Sequence, residues 1–206
     1  MKKGLGVVFL FFLAIVAFDY LSTQLGSLHL SLFSVAPTNR TAYDGLPSVN
    51  INFFDPMGNG KSYITQGYGD TPYAYLYLNH WHDGIDIMAD YGEPIYAVTA
   101  GTVLATGNQD DYCYHRGFGK YVAVKDDAAG FVLWYAHLGT IDVSPGANIS
   151  KGTKIGTVGA TGYEFGTHLH FSIFDENGFS MQNRDGCGPD PTGQDRDPIP
   201  FLNALQ

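Results

Sequence analysis

From Lys61 onward, glycine cuts the chain into short runs of β-branched and aromatic residues, and this segmentation leaves little room for helix. Strands are expected over 62–65, 85–88, 95–100, 102–105, 121–124, 132–136, 154–158 and 168–174. Composition agrees, since 26 glycines and 15% aromatic residues suit sheets joined by tight turns. The reading is an all-β domain. The stretch 185–197, rich in Gly, Pro and Asp, reads as a solvated surface loop before a short closing segment at 199–205.

The 206 residues, 45% of them hydrophobic, suffice for one domain with a sizeable core. Lys2 and Lys3 precede a run from Leu5 to Phe18 without a charged side chain, ended by Asp19. That pattern is an export signal, with 1–21 forming a hydrophobic helix that is either a signal peptide or a retained membrane anchor. Residues 22–60, with Pro37 and Pro47 and no sustained period, read as a linker, and 61–206 as the folded domain. An extracytoplasmic location makes a disulfide between Cys113 and Cys187 the natural state of the two cysteines. They form no C-x-x-C pair, so neither a zinc knuckle nor a thioredoxin-type motif is available. The net charge of -9 excludes a nucleic-acid partner, which draws on clustered Lys and Arg.

Of seven histidines, four fall in three compact segments: His82 in HDGID, His137 in YAHL, and His168 with His170 in THLH. A hydrolytic zinc site takes three N or O ligands and keeps a fourth position for water. His82, Asp86 and one histidine of the H-x-H pair meet that requirement. In a strand, His168 and His170 project to one face. His82 and Asp86 share a face too, but full extension would part them by about 13 Å, so a bend is expected at Gly84, where no Cβ restricts φ. Alternation puts Asp83 on the opposite face. A helical H-x-x-x-D is disfavoured by Gly84 and by Ile85 and Ile87, and no H-E-x-x-H is present. His29, His80 and His115 read as ordinary histidines, with His80 the one competing ligand. Tyr73, Tyr75, Tyr77 and Trp81 read as packing or surface aromatics before groove residues. Tyr135, two before His137, should share its strand face and is a candidate second-layer or substrate contact.

HDGID, YAHL and THLH, in that order and with glycine-rich strands between, resemble the lysostaphin-type metallopeptidases, metallopeptidase family twenty-three. The similarity covers about residues 62–174, including ITQGYG, GEPIYAVTAGTV and GTKIGTVGATG. The resemblance implies a mostly antiparallel β-sheet domain with a groove, of the duplicated-hybrid-motif kind. It implies one zinc ion on His82, Asp86 and His170, a catalytic pair in His137 and His168, and hydrolysis of peptidoglycan peptide cross-links. Two departures are Asp70 and Thr71, where the family often carries arginine, and Thr167, where proline commonly precedes the H-x-H. The competing class is an inactive relative that binds the wall or activates an amidase. Such relatives lack ligands, and this chain lacks none.

Overall fold

A computed structural model describes residues 55–58, 63–77, 79–183 and 186–205. The expected export helix, His29 and most of the linker lie outside the described residues. Among the described residues no helix is long and apolar enough to cross a membrane.

The strands are β1 (Tyr63–Gln66), β2 (Gly84–Met88), β3 (Pro94–Tyr96), β4 (Gly101–Asn108), β5 (Lys120–Asp126), β6 (Phe131–Ala136) and β7 (Leu138–Ile141). Then come β8 (Asn148–Ile149), β9 (Lys154–Val158), β10 (His168–Asp175), β11 (Ser180–Asn183), β12 (Pro189–Thr192), β13 (Asp195–Arg196) and a closing helix, α1 (Pro198–Ala204). The main sheet runs β1-β2-β10-β6-β5-β4-β8, with β13 beside β10. A three-stranded sheet runs β3-β9-β7, and β11 pairs with β12. Every one of these pairings is antiparallel, so the all-β expectation holds.

Both faces of the main sheet are covered, which is why β6 and the middle of β5, Tyr121 to Val124, are continuously apolar. On one face Ile85, Ile87, Val122, Leu133, Tyr135, Leu169 and Phe171 pack with Ile95, Leu138, Ile155 and Val158 of the small sheet and Leu202 of α1. On the other, Tyr121, Val132, Trp134 and Phe174 form a second cluster with Phe118, Phe179 and Met181. Asp197 caps α1 by accepting from the Ile199 N–H at 2.9 Å.

Strands β7, β8 and β11 fall outside the expected runs, and two further stretches differ from expectation. The run 95–100 leaves its ladder after Tyr96, because the Ala97 N–H goes to the Thr153 carbonyl and the Val98 N–H to the Tyr135 hydroxyl. The tail read as a loop contributes β12 and β13. Pro189 and Pro191 hide that strand, since they lack the N–H of a central strand yet suit a two-stranded ribbon. Cys113 and Cys187 are joined in a disulfide.

Candidate metal centre

One row of the sheet, taken across the strands, carries the chemistry. Gln66 of β1 pairs with Asp86 of β2, Asp86 with His170 of β10, and His170 with Ala136 of β6. Cross-strand neighbours hold their Cβ atoms about 5 Å apart on one face, so Asp86 and His170 meet without special arrangement.

His82 reaches them differently. It precedes β2 and is held by an isolated bridge to Gly69, with N–H to carbonyl distances of 2.8 and 3.0 Å. The His82 and Asp86 side chains meet, but Gly84 is an extended residue of β2 and is not in the left-handed region. Its missing Cβ serves another end: a Cβ there would stand 2.5 Å from the Phe171 carbonyl oxygen and 2.5 Å from Ser172 Oγ. Glycine thus lets β2 and β10 close together and leaves room for the Ser172 hydroxyl.

The resulting cluster is buried. His82 Nε2 lies 3.1 Å from His170 Nδ1 and 3.2 Å from Asp86 Oδ1, while His170 Nδ1 lies 3.0 Å from Asp86 Oδ1. One ligand atom from each residue falls within 4.8 Å of the others. The outer nitrogens are already engaged. His82 Nδ1 is 2.6 Å from the Gly67 carbonyl, which can only accept, so the proton sits on Nδ1 and Nε2 keeps its lone pair. His170 Nε2 is 2.7 Å from Ser172 Oγ and 3.3 Å from Asp83 Oδ1, which favours the proton on that side and leaves Nδ1 facing inward.

Three acceptors converging in a buried spot call for a positive charge. Burial alone would lower the His170 pKa, yet Asp83 and Asp86 raise it to about 9. Burial would likewise raise Asp86, but the imidazoles of His170 and His82 beside it hold it well below the usual carboxylate range. A divalent cation satisfies the same demand, and a donor set of two imidazoles and one carboxylate suits zinc.

His137 and His168 stand beside this cluster with ring centroids 4.8 Å apart. His168 Nδ1 donates to the Gly166 carbonyl at 2.6 Å, and its Nε2 is 3.5 Å from Asp86 Oδ1. His137 Nδ1 donates to the Thr161 carbonyl at 2.7 Å. It sits at the joint where the chain leaves β6 for β7, with φ 60°. That left-handed residue breaks the alternation of the strand, so Tyr135 does not share its face. Contrary to the expectation, Tyr135 is fully buried against Phe171, with its hydroxyl accepting from the Val98 N–H at 3.1 Å.

Of the aromatics, Tyr77 stacks on the His82 ring at 5.6 Å. Trp81 donates to Asp195 at 2.8 Å, and Tyr73 and Tyr75 are exposed. His80 is exposed and outside the cluster. Ser172 was open to the spacing argument that groups His168 with His170, being two residues further along the same face. The carbonyls of Gly67 and Thr161 have no signature in residue type.

Residues 80–183, half of the chain, match the profile of Peptidase family M23. The chain belongs to peptidase family M23. Among relatives, this M23 chain is 31% identical to lysostaphin of Staphylococcus simulans over 139 residues, 68% of the chain and 25% of lysostaphin. It is 34% identical to the peptidoglycan DD-endopeptidase ShyA of Vibrio cholerae over 92 residues, 45% of the chain and 20% of ShyA. The M23 chain therefore spans a quarter or less of these two relatives. Its fold resembles the catalytic domain of the antimicrobial peptidase lysostaphin from Staphylococcus simulans, with a TM-score of 0.54 at 27% identity, covering 68% of this chain and 91% of that one.

Proposed function

We propose that this M23 chain is a zinc-dependent endopeptidase that hydrolyses peptide cross-links of bacterial peptidoglycan outside the cytoplasm. His82, Asp86 and His170 are the zinc ligands, and His137 and His168 the catalytic residues. The peptidase domain spans 61–206, carried on a linker, 22–60, behind an export or anchoring segment, 1–21.

The observation that carries this reading is the convergence of two imidazole nitrogens and a carboxylate, with the outer nitrogens engaged, beside two further imidazoles. His82, Asp86 and His170 would supply three protein ligands, the number that a catalytic rather than a structural zinc site uses. Bound there, zinc supplies Lewis acidity toward a peptide carbonyl and toward water. His137 and His168 each commit Nδ1–H to a carbonyl, so Nε2 of each is left to accept a proton or, once protonated, to hydrogen-bond a developing oxyanion. The name of ShyA, a peptidoglycan DD-endopeptidase, supports a peptidoglycan substrate, and the disulfide supports an oxidising compartment.

The test is zinc content together with mass spectrometry of muropeptides released from sacculi by the full chain. Asp86→Ala is expected to lose both metal and release. His137→Ala and His168→Ala are expected to keep metal and slow release by about a hundredfold or more. Binding to sacculi without release would overturn the enzyme, and zinc loss from either histidine variant would overturn its assigned role.

A further inference from the structure

We propose that Asp110 is a positioning residue for His137, acting through the loop that carries Thr161. The proposal rests on the reading of His137 as a working residue of the site.

His137 lies in a backbone conformation uncommon for a side chain with Cβ, so its neighbours must hold it there. Its N–H donates to the Phe118 carbonyl at 3.0 Å, its carbonyl accepts from the Gly159 N–H at 3.0 Å, and its ring donates to the Thr161 carbonyl. Two loops, 109–119 and 159–163, thus supply all three partners. The direction of the Nε2 lone pair depends on the Thr161 carbonyl staying where it is.

Asp110 ties the two loops together. Its Oδ2 accepts from the Gly162 N–H at 3.0 Å, one residue beyond Thr161, and its Oδ1 accepts from the His115 N–H at 2.9 Å. His115 closes the ring by donating from Nδ1 to the Gly162 carbonyl at 3.2 Å, and the Tyr163 N–H donates to Gly117 at 2.7 Å. The loops touch backbone to backbone, since a Cβ on Gly162 would lie 2.3 Å from the Gly119 nitrogen. Thr161 is held on its other side, its hydroxyl accepting from the Lys120 N–H at 2.9 Å and donating to the Leu138 carbonyl at 3.0 Å.

Asp110 itself stands on a fixed base. It belongs to a 3-10 turn, Gln109–Asp111, capped by Asn108. The buried Gln109 side chain bonds the Phe118 N–H, the Pro189 carbonyl and Asp190. The adjacent Cys113–Cys187 disulfide pins the same loop to the C-terminal ribbon. A carboxylate accepting one amide with each oxygen fixes the spacing of the loops, whereas an amide side chain presents one acceptor and loses a bond.

The test uses the full-length, zinc-loaded chain and the His137 Nδ1–H proton, assigned in NMR spectra by its loss in His137→Ala. Asp110→Asn is expected to speed exchange of that proton with water at least about tenfold and to lower kcat by about tenfold to a hundredfold. KM is expected to change by less than about threefold and bound zinc not at all. Asp111→Asn, whose carboxylate bonds Asn108 instead, is expected to leave the proton unchanged. A folded Asp110→Asn with unchanged proton exchange overturns the proposal, as does an equal effect from Asp111→Asn. Should Asp110→Asn fail to fold, Asp110→Ser is read by the same criteria. A wild-type chain without peptide release whose proton still responds to Asp110→Asn supports the coupling and overturns the peptidase reading instead.

Discussion

His137 combines features that rarely coincide: a left-handed backbone, burial, and a ring nitrogen bonded to a carbonyl. Burial, helped by His168 and His170, pushes its imidazole down to about 3. The unfolded chain therefore takes up the proton first, so this residue's contribution to stability is complete above pH about 6.5 and is lost as pH falls toward about 3. For the metal-free protein, the difference in urea midpoint between wild type and His137→Gln is expected to be constant above pH about 7 and to change only across that window. A difference that stays flat down to pH about 3 would contradict this. The clustering of histidines made His137 legible in the sequence, and the rule of alternation misplaced Tyr135 beside it. The reason is local: a residue at φ 60° interrupts the regular facing of its neighbours, and composition does not encode φ outside glycine.

At the scale of elements, the pairing of β2 with β10 sets the geometry around Asp86 and His170. Gly84→Ala would drive a methyl group into the Phe171 carbonyl and the Ser172 hydroxyl. It is expected to cost about 1–3 kcal/mol of stability, read by thermal or urea unfolding. The same change should weaken zinc binding by about tenfold or more, read by competition with a chelator, because Ser172 no longer orients His170. Strands β1, β2, β4, β5, β6 and β10 of the main sheet could be read from their residue runs, with β10 beginning at His168 as expected, whereas the two-residue β8 and β13 could not. The ribbon of β11 and β12 could not either, since apart from Met181 its residues are polar or proline and its pairing goes with the packing of Phe179 and Met181.

Across the whole described molecule, the two faces of the main sheet have different supports. One face is sealed by the small sheet and α1 in a large apolar core. The other is covered by a smaller cluster, with Phe118 from the 109–119 loop and Phe179 and Met181 from the region of β11. The Cys113–Cys187 bridge, 74 residues apart in sequence, ties this loop to that ribbon. Replacing both cysteines by serine is expected to cost about 2–4 kcal/mol, measured by urea denaturation against the oxidised wild type. A further consequence lies in the crosswise row from Gln66 to Ala136. Because side chains alternate, shifting β10 against β2 by a single place would turn His170 toward the core and bring an apolar neighbour opposite Asp86. A mispaired β10 would therefore leave His82 and Asp86 without His170, and metal uptake by the proposed centre would report how β10 is aligned against β2.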